Sequence, residues 1–173
     1  MLLRQFAAYL TFLWRSTNQH GVHSPFVYQL VTQAFYNQKK AYSSIAPHIS
    51  QFTQKLSLPK KKQHLIARVC QYLNLKNLAT TEQSLDNVAQ KVDLLFIPKF
   101  SGNRSEASIS NLPSIIHNDT VIVIEHIHQC PNNKQLWKTL QNHKLTTVSI
   151  DTFSFGFLFF RKEQTKQHFR IRL

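Results

Sequence analysis

Apolar residues at the start of the chain recur three and four positions apart, a spacing that predicts an amphipathic helix over residues 2–15. The polar face of this helix holds mostly Gln, Tyr and Thr rather than a row of Lys and Arg. We therefore expect the apolar face to dock onto the protein's own core, although a helix lying on a membrane surface would show a similar pattern. The apolar positions are Leu3, Phe6, Ala7, Leu10, Leu13 and Trp14.

Three further helices are predicted before residue 75. Ser24 followed by Pro25 is typical of a helix start, with Ser as N-cap and Pro in the first helical position, and this helix should end near Asn37. A short helix is expected within residues 43–57. Another begins at Pro59 and continues to about residue 74.

The second half of the chain carries short apolar runs separated by polar segments and by one helical pattern after Pro131. Because the runs are continuous rather than alternating, they predict strands buried on both faces, as in a parallel sheet. The close spacing of the last two runs favours an antiparallel final pair. The sequence thus predicts an α/β fold, with a helical region (1–74) and an α/β region (75–173) forming one compact unit. The predicted strands span residues 92–97, 120–124, 146–150 and 155–160.

Composition favours a folded domain: the chain has 173 residues, of which 42% are hydrophobic. No apolar run is long enough to suggest a transmembrane helix, and Arg4 and Arg15 interrupt the first segment, which makes a poor signal peptide. We therefore expect a soluble, cytoplasmic protein with no membrane partner. Cys70 and Cys130 fit no metal-finger spacing and are expected to be reduced thiols.

Positive charge is concentrated in the first half of the sequence. The net charge is +13, and ten Lys or Arg residues precede the first acidic residue, Glu82. Such a field attracts polyanions, so nucleic acid is a candidate partner. Lys60, Lys61 and Lys62 stand at a predicted helix N-terminus, where the helix dipole disfavours cations. They form either a solvated cluster or a site for an anionic partner.

Glu125, His126 and His128 follow directly on the apolar run at 120–124, and sites in open α/β sheets lie beyond such strand ends. A carboxylate and two imidazoles could bind a divalent metal or act as acid and base, or they could simply cap the strand. Strand geometry would place Glu125 opposite the two histidines, so a three-ligand site requires the backbone to turn here. Neighbouring Cys130 has no visible base to activate it as a nucleophile.

His20 and His23 flank Gly21 in a predicted loop. They could contact a ligand, or they could close a helical corner through hydrogen bonds to the backbone.

Several segments resemble a bacterial (Bacteroidetes-type) class I S-adenosylmethionine-dependent methyltransferase-like family. The resemblance is carried by Asn-Gln-His-Gly-Val-His-Ser-Pro-Phe-Val at 18–27, by Val-Asp-Leu-Leu-Phe-Ile at 92–97, by 121–128 and by 157–172. It implies a Rossmann-like sheet in which 92–97 is the fourth strand and 121–128 contains the fifth. If the protein is active, the resemblance implies S-adenosylmethionine as cofactor, with Glu125 and His128 near the acceptor or a metal.

The sequence departs from the family where the cofactor would bind. The candidate first strand begins at 75–78 and is followed by no glycine turn, because the chain's three glycines are Gly21, Gly102 and Gly156. Two strand–helix units of the family are missing, and Pro98 follows the fourth strand where the family has an aspartate. The sequence therefore predicts an incomplete Rossmann-like methyltransferase sheet and a degenerate enzyme whose cofactor-binding loop is lost.

Two other functions remain open on the same scaffold. One is a basic nucleic-acid-binding module, favoured by the acid-free stretch before Glu82. The other is a non-catalytic partner protein that forms a homo- or hetero-oligomer through the sheet edge exposed by the missing strands.

Overall fold

The computed structural model describes residues 2–37, 45–81, 90–99 and 111–173. The chain forms two compact units. A helical unit contains residues 18–78 together with residue 173, and a sheet unit contains residues 1–17 and 79–172. The first helix thus belongs with the sheet and not with the other N-terminal helices.

The helices and strands that the apolar pattern predicts occur in the predicted order, together with three short elements that it does not predict. The helices of the described residues are α1 (Leu2–Arg15), α2 (Pro25–Leu30, continued by a π-helical turn, Val31–Phe35), α3 (Pro47–Lys55), α4 (Lys60–Tyr72), α5 (Leu112–Ile115) and α6 (Pro131–Asn142). The strands are β1 (Leu78–Thr80), β2 (Leu94–Ile97), β3 (Val121–Glu125), β4 (Val148–Asp151), β5 (Phe155–Phe159) and β6 (Gln167–Arg170).

Capping and packing define the helical unit. The Ser24 hydroxyl accepts a hydrogen bond from the Val27 amide at 3.4 Å, and Pro25 occupies the first turn of α2, as the sequence predicts. On α4, the Arg68 guanidinium donates to the carbonyls of Ala34 (2.8 Å) and Phe35 (3.2 Å). These bonds satisfy carbonyls that lie at the end of the π-helical turn and join α4 to it.

The described strands form a mixed six-stranded sheet in the order β1-β2-β3-β5-β4-β6. β2 runs parallel to β3, and β4 runs parallel to β6. β5 lies between β3 and β4 and is antiparallel to both. The predicted α/β class and the antiparallel pairing of the last two predicted strands are therefore confirmed.

The core lies on both faces of the central strands, and every residue of β2, β3, β4 and β5 is buried. This burial explains the continuous apolar runs. α6 packs on one face through Trp137, whose ring lies 2.4 Å from the point where a Cβ on Gly156 would project. Gly156 therefore admits the indole at close range.

The structure contains three short elements that the apolar pattern does not predict. β1 covers Leu78–Thr80, in the region where the resemblance alone places the start of a first strand, α5 has four residues, and β6 carries the mostly exposed sequence Gln-His-Phe-Arg. None of them has enough buried apolar positions to produce a periodic signal.

α1 spans the predicted residues, but the prediction that its apolar stripe docks onto the core is wrong. Phe6, Leu10 and Trp14 are 61%, 50% and 85% exposed. The helix packs on the sheet unit instead through Phe12, which is buried, and the ring of Tyr9. Within the described residues, no helix is both long enough and apolar enough to cross a membrane.

Candidate functional site

The carboxyl ends of β2 and β3 meet at one edge of the sheet, and Glu125 ends β3 there. Its buried carboxylate accepts a hydrogen bond from the Lys99 amide at 3.4 Å and lies 3.0 Å from Nε2 of His126. The Asn133 side chain donates to the carbonyls of Pro98 (3.0 Å) and Glu125 (2.6 Å). Asn133 of α6 therefore links the carboxyl ends of β2 and β3 by hydrogen bonds. The Glu125 carboxylate is itself occupied by contacts at these strand ends.

The backbone turns at His126, as a compact site would require. His126 has a φ of 55°, and its amide donates to the carbonyl of Ser154 at 2.8 Å. The amides of Gln129 and Cys130 return to the carbonyl of His126, and the His126 ring is hydrogen-bonded to Gln129. The turn is thus closed by hydrogen bonds between its own residues. His128, within this turn, contacts residues other than Glu125.

His128 lies beside the end of β4. Its Nε2 is 2.8 Å from Oδ2 of Asp151, a buried carboxylate whose other oxygen accepts from the Phe153 amide at 2.8 Å. The His128 ring stacks on Phe153 with centroids 5.0 Å apart and an interplanar angle of 12°. Phe153 and His128 both contact Phe12 of α1, so this pair anchors the first helix.

The structure separates the predicted acid–base and metal-binding residues. Glu125 pairs with His126, while His128 pairs with Asp151. Across the described parts of the chain, no group of three or more His, Cys, Asp or Glu side chains is placed to hold a metal ion.

The other predicted candidates lie as follows. Lys60, Lys61 and Lys62 form the first turn of α4 after Pro59, in the helical unit. His20 lies in a 3-10 turn capped by the side chain of Asn18, in the helical unit.

The two cysteines are buried free thiols, as expected for reduced residues. Burial raises the pKa of the Cys70 thiol to about 12, which keeps it protonated and unreactive at neutral pH. Cys130 is the N-cap residue of α6 and is only 4% exposed.

A groove of about 220 Å³ lies between α6 and the strands β4 and β6. Two lysines spaced four residues apart on α6 line one side, and an arginine and a histidine of β6 line the other. Asp151 is the acidic residue among its lining side chains. It accepts from His128 and the Phe153 amide, and its Oδ2 lies 4.0 Å from Nε of Arg170, so part of the positive charge of Arg170 is offset within the groove. The basic and imidazole side chains that line it are Lys134, Lys138, Arg170, His128 and His168.

A hydrogen-bond chain orients His168 in this groove. The Gln141 side chain donates to the Ser149 hydroxyl (3.0 Å), which lies 2.6 Å from Nδ1 of His168. Burial, followed by the nearby charge of Lys166, lowers the pKa of His168. The lowered pKa keeps the ring neutral at neutral pH, and the contact with Ser149 at Nδ1 fixes its orientation.

The residues after β1 do not fit an adenosyl cofactor. Thr81 follows the strand directly, has a buried, β-branched side chain, and donates its amide to the carbonyl of Phe96 at 3.1 Å. A cofactor cradle needs a glycine turn at this point so that the backbone can approach the ligand, and no glycine lies between Gly21 and Gly102. The residues that follow β1 therefore leave no cradle for this cofactor.

Of the charged and imidazole residues that line the groove, the sequence indicated His128, and it missed the others because they come from separated segments on α6, β4 and β6. The one local signal was the spacing of Lys134 and Lys138, which places both on the same face of a helix. Comparison with known proteins adds no assignment: no family model, curated protein or solved structure matches the chain.

Proposed function

We propose that the protein is a shortened, non-catalytic relative of class I S-adenosylmethionine-dependent methyltransferases that binds nucleic acid through the groove between α6 and β6. The strand order supports the origin of the scaffold, and the groove supports the ligand. The observation that most directly supports nucleic-acid binding is that the side chains of Lys134, Lys138 and Arg170 line the same groove.

The sheet order supports the origin of the scaffold. A doubly wound sheet has the order 3-2-1-4-5, so its first strand lies beside the fourth and the fourth beside the fifth. Loss of the second and third strands would leave 1-4-5, with the first strand at the edge. The order β1-β2-β3 at this edge agrees with that arrangement, since the resemblance aligns β2 and β3 with the fourth and fifth strands.

The chemistry of the groove supports a phosphate ligand. Lysine and arginine side chains neutralise phosphates, and the His168 imidazole adds a polar group to the same lining. Phe169 supplies aromatic surface in the same lining, a combination that suits a single-stranded nucleic acid. The net charge of +13 favours any polyanion at long range.

Binding of a fluorescent single-stranded RNA oligonucleotide to groove variants tests the ligand. Lys134→Gln/Lys138→Gln removes two exposed cations from the groove, and we expect affinity to fall roughly tenfold. The matched control is Lys144→Gln/Lys162→Gln, which removes the same charge from exposed lysines outside the lining. Equal losses in the two variants would show that only net charge matters and would overturn the groove assignment.

Calorimetric titration with S-adenosylmethionine and S-adenosylhomocysteine, with and without magnesium, tests the loss of methyl transfer. We expect no binding to the folded protein, because the glycine turn is missing. Micromolar affinity would contradict this expectation and would restore an enzymatic function to the scaffold.

A further inference from the structure

The apolar face of α1 points away from the core. Phe6, Leu10 and Trp14 are spaced four residues apart, so they form one stripe along the helix, about 12 Å long at 1.5 Å per residue. All three are at least half exposed, and Leu13 beside them is half-buried. We call these three residues the α1 stripe.

The helix is nevertheless held firmly in place. Buried Phe12 packs against Phe153 with ring centroids 5.4 Å apart, on the side of α1 opposite the stripe. Thr17, two residues after the end of α1, is held by two backbone hydrogen bonds. Its amide donates to the Arg170 carbonyl at 2.9 Å, and its carbonyl accepts from the Arg172 amide at 3.0 Å. The stripe is therefore displayed on an anchored helix.

We propose that the α1 stripe inserts into the interfacial region of an anionic membrane, with the sheet unit lying on the bilayer surface. Helices that bind in this way carry Leu, Phe and Trp on one face and lie in the plane of the interface. Their polar face commonly holds a row of Lys and Arg, which α1 lacks, so the positive charge comes from the end of the helix. Trp14 is well suited to the boundary between acyl chains and headgroups, where one side of the indole is apolar and the other is wet.

Charge identifies the membrane as the partner. Arg15 is exposed next to Trp14, and Arg172 is exposed beside Thr17 at the same end of the helix. No acidic residue precedes Glu82, and the net charge is +13. A second copy of the chain would bring two such charges together, whereas an anionic bilayer neutralises them.

The sequence-based expectation of no membrane partner rested on the lack of a membrane-spanning apolar run and of a signal peptide, and, for a helix lying on the surface, on burial of this face against the core. Its exposure removes that reason, and the finding that no described helix can cross a bilayer does not bear on a helix that lies on one. Membrane binding is independent of nucleic-acid binding, because the α1 stripe and the groove between α6 and β6 are different surfaces of the sheet unit.

The intrinsic fluorescence of the full chain tests the proposal. The chain has two tryptophans, of which Trp14 is 85% exposed and Trp137 is 6% exposed, so a change on adding vesicles reports on Trp14. With vesicles of phosphatidylglycerol and phosphatidylcholine in equal parts, we expect a blue-shifted emission and co-flotation of the protein. Vesicles of phosphatidylcholine alone should bind at least tenfold more weakly, since each basic residue near the surface contributes about fivefold.

Leu10→Ser/Phe6→Ser keeps the reporter and should reduce vesicle binding by roughly tenfold or more. Its unfolding by urea should match that of the wild type because both side chains are exposed. The control Tyr28→Ser removes another exposed aromatic residue, on α2, and should bind vesicles normally. Arg15→Gln should weaken binding to the anionic vesicles about fivefold and leave binding to neutral vesicles unchanged.

Two results would overturn the proposal. One is equal vesicle binding by the wild type and Leu10→Ser/Phe6→Ser. The other is a wild-type dimer in sedimentation that this variant abolishes, with no blue shift on anionic vesicles, which would assign the stripe to a second copy of the chain. RNA binding by the groove variants is measured separately, so failure of either proposal leaves the other testable.

Discussion

Gly156 lies within β5, opposite Ile124 of β3 and Asp151 of β4, and the ring of Trp137 fills the space above it. A strand glycine loses more backbone entropy on folding than other residues do, so its presence here calls for a packing reason. The close approach of the indole supplies that reason. α6, which carries Lys134 and Lys138, is positioned through this contact.

Gly156→Ala should destabilise the protein by about 1–3 kcal/mol, because the new methyl group would overlap the Trp137 ring. The free energy of unfolding in urea measures the effect. In a Trp137→Leu background the same substitution should cost less, since the six-membered ring of the indole is gone. An unchanged urea midpoint for Gly156→Ala would contradict the packing described.

The turn between β4 and β5 connects the sheet to α1. Asp151 fixes the turn by accepting from the Phe153 amide, and Phe153 adopts a φ of 67°, which is uncommon for a residue with a bulky side chain. Its ring lies 4.8 Å from that of Tyr9 and 5.4 Å from that of Phe12. The contacts of the ring therefore offset a strained backbone.

Phe153→Ala and Phe153→Gly both remove the ring contacts, but only glycine relieves the positive φ. We expect both variants to be less stable than the wild type, with Phe153→Gly more stable than Phe153→Ala by about 1 kcal/mol. Urea unfolding of the three proteins gives the comparison. If the alanine variant were as stable as the glycine variant, the left-handed conformation at this position would be refuted.

Strands buried on both faces could be predicted from the apolar pattern, and an exposed edge strand could not. The apolar runs of β2 to β5 follow from burial above and below the sheet. β6 forms one edge and has little buried surface, so it left no apolar run. For α1 the periodicity located the helix correctly. A helical period shows which residues share a face, but it does not reveal whether that face meets the core or the solvent.

At the scale of the whole molecule, the strand order decides which residues form a site. The segment from Glu125 to His128 could be recognised because a strand end is local in sequence. The groove could not, since it depends on β4 lying between β5 and β6, an order that differs from the order along the chain. Two lysines of α6 thereby come to face an arginine of β6 that lies more than thirty positions later.

The salt dependence of RNA binding tests the central claim most directly. For a single strand, the slope of log affinity against log salt concentration changes by about 0.7 for each phosphate that a basic side chain neutralises. Lys134→Gln/Lys138→Gln should therefore reduce the magnitude of the slope by about 1.4, while Lys144→Gln/Lys162→Gln leaves it unchanged. The same slope for the wild type and the groove variant would show that RNA does not occupy the groove.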